Sequence, residues 1–428
     1  MEQTPIASLV PGRVAGTIET DPTCSGAGKV LLLSQAQLGA VTAPPAGVVL
    51  VEAAPFSHAL IRWLGRGIPV GLLAAGHADA WQQGTAVVLD TAVGKFRAAP
   101  PGERLKSWRA PPAPKAGEPV CTADGTEVAL SASVADEGGV RRAIACGAAG
   151  IGLVRSELLL PDGEARPDAE LYRRALSRFL ALAGPLHLSV RLLDLATDKW
   201  PAWLADAGAG TVLHKRHGSQ LFGVPVVHDV VAAQLEALAA IADQRLRVIW
   251  PSGARLTDFR RWRDDARRML PAGIALGAMV ETPLELLALR RWLRAADFVA
   301  IGCNDLLAHL CAADRGDPAQ RLLLDPYRPE LLRFLGDAAA AAGADLGRVE
   351  LCGLLAQIEG LLPVLVGLGY RRYSVEPTLI PLLAETLANI TLDHCRTRAG
   401  AVCACETAAK VRALLGVPSG RPWGLVRS

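Results

Sequence analysis

Arginines, carboxylates and one cysteine recur where short apolar runs end in the second half of this sequence. Arg155-Ser156-Glu157 follows Gly150 to Val154, and Arg191 lies within Leu188 to Leu192 with Asp194, Asp198 and Lys199 after it. Glu281 follows Leu276 to Val280, Asn304-Asp305 follow Phe298 to Ile301 with Asp314-Arg315 downstream, and Cys352 ends Val349 to Cys352. Arg155, Arg191 and Arg315 in one place would repel one another unless a multiply charged anion sat among them. Guanidinium forks match phosphate and carboxylate, so a small, doubly anionic phosphate ester is the expected ligand class. Glu281 and Asp305 could share a hard divalent cation such as Mg²⁺, with water and ligand oxygens completing the octahedron. The competing reading is that each acid pairs with an arginine around a rim and holds no metal, since structural ion pairs are common. Cys352 is by default a small buried hydrophobe. Near the N-terminus stands His58, within Pro55-Phe56-Ser57-His58-Ala59-Leu60-Ile61. A lone histidine is by default a surface or satisfied side chain, although an imidazole can carry a phosphoryl group, one nitrogen attacking while a hydrogen bond fixes the other.

These residues need a scaffold that gathers strand ends. From about residue 120 short apolar strands alternate with longer amphipathic runs, the mark of repeated βα units. Eight strands are expected near Val128 to Ser131, Gly150 to Val154, Leu188 to Leu192, Val248 to Trp250, Leu276 to Val280, Phe298 to Ile301, Val349 to Cys352 and Tyr373 to Val375, with helices such as Asp229 to Asp243 and Pro329 to Ala342 between them. That pattern predicts an α/β (β/α)₈ TIM barrel, whose functional groups sit at the C-terminal ends of the strands. Residues 1–103 read instead as a small β-rich domain with runs at Lys29 to Leu33, Gly47 to Val51, Ile68 to Leu73 and Ala86 to Asp90. Prolines in 104–119 stiffen a linker. The expected division is therefore 1–103, 104–119, 120–395 for the barrel and 396–428 for a helical tail.

At 428 residues the chain has room for two domains, and its net charge of +3, with acids and bases interspersed, gives no reason to expect nucleic acid. Charge, Gly or Pro breaks every apolar stretch before the roughly 18 to 20 residues of a membrane span, and the N-terminus lacks a secretory pattern. A cytoplasmic protein without a membrane partner is expected. Nine cysteines, an odd number, suggest reduced thiols; Cys403 and Cys405, with Cys395 upstream, lack a second pair at zinc-finger spacing.

The barrel segments resemble the phosphoenolpyruvate-binding domain of enzyme I of the bacterial sugar phosphotransferase system, which is shared with pyruvate phosphate dikinase and phosphoenolpyruvate synthase. The matching residues are Gly150-Ile151-Gly152-Leu153-Val154-Arg155-Ser156-Glu157, Val190 to Asp194 with Asp198-Lys199, and Met279-Val280-Glu281-Thr282-Pro283. Ile301 to Leu306, Asp314-Arg315-Gly316 and Leu351-Cys352-Gly353 continue the match in order. The resemblance implies that Arg155, Arg191 and Arg315 hold phosphoenolpyruvate, that Asn304 bonds its phosphate, and that Glu281 and Asp305 hold Mg²⁺. It implies that Cys352 protonates the departing enolate and that His58, in a swivelling domain, receives the phosphoryl group. A homodimer and an unidentified phosphoacceptor protein are further implications.

The sequence departs from that pattern beside His58. Ala53-Ala54-Pro55-Phe56 replaces two glycines and a threonine, and Leu64 stands where the family has an arginine. An arginine segment after strand three also lacks a match, Leu221 to Pro225 standing there instead, and the stretch from 16 to 47 has no room for the helical insertion that docks a phosphocarrier. Two other readings follow: a phosphoenolpyruvate sensor without turnover, and a barrel lyase acting on pyruvate-like enolates.

Overall fold

The structure is a computed structural model that describes residues 3–100, 103, 105, 108–159, 166–195, 201–205, 218–418 and 424–425. Asp198 and Lys199 lie outside the described residues. Eight strands make the first sheet: β1 (Gln3–Pro5), β2 (Ala7–Val10), β3 (Arg13–Glu19), β4 (Lys29–Ser34), β5 (Gly47–Val51), β6 (Val70–Leu73), β7 (Ala86–Asp90) and β8 (Lys95–Ala98). Their order is β1-β8-β7-β3-β4-β5-β6-β2, with β3 to β6 parallel and the outer pairs antiparallel. β4 and β5 read as unbroken apolar runs because both faces of the sheet are covered. Leu31, Leu33, Val48 and Leu50 pack in one core with Leu60 and Leu64 of α1 (His58–Leu64), while Val30, Leu32 and Val49 join Trp81 and Phe96 in another. The two-residue period of the strand thus divides one apolar run between two cores.

The second sheet is a closed parallel barrel, as the alternating pattern predicts. Its strands are β10 (Glu127–Val134), β11 (Ile151–Arg155), β12 (Leu188–Arg191), β13 (Leu246–Trp250), β14 (Ala275–Val280), β15 (Phe298–Gly302), β16 (Val349–Cys352) and β17 (Arg372–Val375), and β17 closes on β10. The short β9 (Val120–Cys121) pairs antiparallel with β10. Leu153, Ile249, Met279, Phe298, Ala300 and Cys352 form a separate apolar cluster contributed by five of the strands, which fills the barrel as packed layers do. Helices start where the sequence supplies a first-turn proline, as in Pro225–Ile241 and Pro329–Ala342. The expected strands and the second of these helices fall where the runs lie; the first begins four residues before the expected Asp229.

After the barrel, the helix Leu392–Ala404 packs so closely on Leu361–Gly367 that a Cβ at Gly367 would lie 2.1 Å from the Cys395 carbonyl oxygen. Leu425 then returns to the first domain. Its N–H donates to the Ser8 carbonyl at 2.6 Å, the Glu359 N–H donates to the Gly424 carbonyl at 3.2 Å, and the Leu425 side chain is buried. Among the described residues no helix is long and apolar enough to cross a membrane.

Candidate functional site

Parallel register brings the strand ends together. Arg155 at the end of β11 stands beside Arg191 at the end of β12. Arg191 is buried, and two acids grip it: Glu157 Oε1 at 2.5 Å from Nη2 and Asp194 Oδ2 at 2.6 Å from Nη1. Burial opposes its charge, but Asp194 and Glu157 outweigh burial and hold the guanidinium protonated beyond its ordinary range. Among the described residues, Nε of Arg191 and Oε2 of Glu157 are buried without a hydrogen-bond partner, which leaves polar capacity for a water or a ligand. Arg155 differs: among the described residues no carboxylate lies within ion-pair distance of its guanidinium. Burial lowers its proton affinity, the neighbouring Arg191 lowers it further, and Glu376 opposes both.

Arg315 occupies the junction between the domains. Its Nε pairs with Asp305 Oδ1 at 2.6 Å, its Nη1 donates to the Phe56 carbonyl at 2.8 Å, and its Nη2 lies 2.6 Å from His58 Nε2. A guanidinium has no acceptor, so Nε2 must accept and Nδ1 carries the proton of the neutral ring. His58 opens α1, whose N-cap Ser57 accepts from the Leu60 N–H at 3.3 Å. Phe56 and Leu64, the departures noted beside His58, are both fully buried core residues. The cation beside the ring comes from the barrel. Gln35 Nε2 donating to the Gly316 carbonyl at 3.0 Å and Arg321 paired with Glu52 at 2.7 Å hold the same junction.

Glu281, just past β14, and Asp305, in the first turn of the helix Cys303–Cys311, form the acidic part of the mouth. Burial first, then the like charges of Asp305 and Asp194, hold the Glu281 carboxyl well above its usual range. Gly302 makes room for it: a Cβ there would lie 2.3 Å from Glu281 Oε1. Two carboxyl groups so placed offer the oxygen donors that a hard divalent cation takes. No three His, Cys, Asp or Glu side chains form a metal-binding group among the described residues, so water and ligand oxygens would complete the shell. Asn304 is buried and its Oδ1 accepts from the Leu354 N–H at 2.9 Å. That amide presses on Gly353, where a Cβ would come within 2.7 Å of Oδ1 and φ is +100°. Cys352 ends β16 in the barrel interior, and burial, followed by Glu350, Cys303 and Glu281, pushes its thiol well above the usual range. The thiol therefore keeps its proton at neutral pH.

Arg191 and Arg315 are ion-paired, while among the described residues Arg155 is not. Sequence reasoning left Glu376 aside, although it follows the last strand as Glu281 follows β14. It is buried, and desolvation, opposed by Arg155 and Arg142, holds its carboxyl up to about 7.

Residues 113–392 match the family described as PEP-utilising enzyme, PEP-binding domain. The phosphoenolpyruvate-protein phosphotransferase of Streptomyces coelicolor is 32% identical over 383 residues, covering 86% of this chain and 67% of that protein. The protein of the same name from Haloferax volcanii is 28% identical over 86% of this chain and 68% of its own length. A multiphosphoryl transfer protein of Escherichia coli is 26% identical over 86% of this chain, which spans only 47% of that relative.

Proposed function

The chain belongs to the PEP-utilising enzymes, and from that premise we propose that it transfers the phosphoryl group of phosphoenolpyruvate to His58, releasing pyruvate, and passes it on to a protein acceptor. The observation that carries this reading is the 2.6 Å contact between His58 Nε2 and Arg315, whose Nε also pairs with Asp305. It sets an imidazole lone pair at the mouth, beside the cation and carboxylates that phosphoryl transfer requires.

Arg155 and Arg191 would bind the carboxylate and phosphate of the substrate, with Asn304 at the phosphate. Arg315 would turn from Nε2 to a phosphate oxygen, exposing the lone pair as it brings phosphorus near. The Nε2–P bond then forms as the bond from phosphorus to the enol oxygen breaks, and the electron pair passes into the enolate. Cys352 would deliver its proton to the terminal carbon, giving the methyl group of pyruvate. Glu281 and Asp305 would hold Mg²⁺, which when bound neutralises charge on the phosphate and enolate oxygens.

The test is mass spectrometry after incubation with phosphoenolpyruvate and Mg²⁺. An acid-labile +80 Da adduct (roughly one phosphoryl group) on His58, with pyruvate in equal amount, is expected. Tight binding without adduct or pyruvate would replace this reading with that of a sensor.

A further inference from the structure

The chain leaving β4 runs beside the chain leaving β5, because the two strands pair in parallel with Ser34 opposite Val51. The first of these connections opens the short helix Gln35–Ala40, and the second carries residues 52–57 to His58. The Ser34 N–H donates to Gln37 Oε1 at 2.9 Å, which fixes the start of that short helix and so the place of Gln35. The half-buried Gln35 side chain then reaches in two directions. Its Oε1 accepts from the Ala54 N–H at 2.7 Å, in the loop that leads to His58, and its Nε2 donates to the Gly316 carbonyl at 3.0 Å, beside Arg315. An N–H can only donate and a carbonyl only accept, so the two partners also fix which end of the carboxamide faces which.

One carboxamide therefore spans the loop that carries His58 and the loop that carries Arg315, on two different domains. Gly316 is held from its other side, its N–H donating to Asp314 Oδ1 at 2.7 Å, so the bridge ends on a fixed turn. The direct contact between the loops runs through Arg315, whose fork meets His58 Nε2 and the Phe56 carbonyl. That fork is the group that turns to the phosphate when substrate binds, and Nε2 must then be free to attack. The bridge through Gln35 ends on backbone at both sides and uses no group that the transfer consumes, so it outlasts the turn. The other tie that outlasts it, Glu52 to Arg321 at 2.7 Å, is an exposed ion pair and holds the loops weakly. We infer that Gln35 is a positioning residue that keeps the His58 loop in register over the mouth while Arg315 is occupied with substrate. This rests on the proposed transfer to His58. A slip of about 1 Å between nucleophile and phosphorus costs on the order of 10²-fold in rate.

Gln35→Glu separates the two arms. It keeps an oxygen for the Ala54 N–H and sets a second oxygen against the Gly316 carbonyl, so only the arm to the barrel is lost. Gln35→Met removes both arms at similar length. Rapid-quench labelling of His58 by saturating phosphoenolpyruvate with Mg²⁺, in a single turnover of the full chain, should be slower by roughly 10- to 10²-fold in both variants. Calorimetry should give both the wild-type affinity for phosphoenolpyruvate, because no substrate contact is touched. A wild-type rate in Gln35→Glu would overturn the inference, and so would a loss of affinity as large as the loss of rate.

A second phosphoryl donor separates register from a structural role. Phosphoramidate reaches an imidazole from solvent, its P–N bond breaking as the Nε2–P bond forms and ammonia leaves, and the barrel takes no part. It should label His58 in Gln35→Glu at least as fast as in wild type, because the ring and its loop are intact. Slow labelling from both donors would mean that Gln35 serves the ring itself, and would overturn the inference. Failure of the proposed function looks different. Wild type would then take no label from phosphoenolpyruvate while phosphoramidate still marked His58, and Gln35 would have no transfer to position.

Discussion

Gly302→Ala is the sharpest test of the acidic mouth, because backbone conformation does not enter it. Gly302 has φ −82° and ψ 89°, which alanine adopts without difficulty. The conflict is steric: the new methyl would lie 2.3 Å from Glu281 Oε1, 2.6 Å from Cγ and 2.9 Å from Cδ. Cγ is in the way as well as the carboxylate, so the side chain must retreat by about 1 Å or rotate out of the mouth, and a misplacement of that size costs on the order of 10²-fold in rate. Glu281 is part-exposed and crowded by Asp305, so its departure removes a repulsion and the free protein should lose no more than about 1 kcal/mol. The assay is pyruvate release against Mg²⁺ concentration, with melting temperature in parallel. The expected result is a Mg²⁺ requirement raised at least about tenfold, rates down about 10²-fold, and an almost unmoved melting temperature. Gly277→Ala is the control. Its methyl would strike the Phe298 ring at 2.5 Å, costing about 1–3 kcal/mol through overpacking and leaving the Mg²⁺ requirement intact. A normal Mg²⁺ dependence in Gly302→Ala would refute the assignment of Glu281.

The remaining predictions concern single groups. Arg315→Lys keeps a cation but loses the planar fork that reaches Asp305, Phe56 and His58 together, so His58 labelling should slow by about 10² or more. Iodoacetamide at pH 8 should modify the exposed Cys24 and Cys121 and spare Cys352, read by peptide mass spectrometry; rapid modification of Cys352 would contradict its raised thiol. His187 is held down to about 4 by burial and by Arg247 and Arg372, so folding stabilises its neutral form. Stability should therefore fall as pH drops from about 6.5 to 4, by on the order of 3 kcal/mol from this group, and His187→Gln should flatten that limb in urea unfolding.

The barrel was legible because each strand announces itself as an apolar run between breakers, and parallel register then aligns the ends without further information. Arg155 beside Arg191 follows from that register alone. What the sequence hid was pairing across long separations. Nothing local to His58 reveals that its neighbouring cation is Arg315, or that Leu64, standing where the resembling family has an arginine, is a core residue. Glu376 was overlooked because its burial against Gly65 is set by elements far apart in the chain.

Leu425 is tied to Ser8 of β2 and bridges Ile358 of the barrel, so this late segment clasps the first domain to the second. Any wide excursion of the histidine-bearing module towards an acceptor must peel this short clasp away or carry it along.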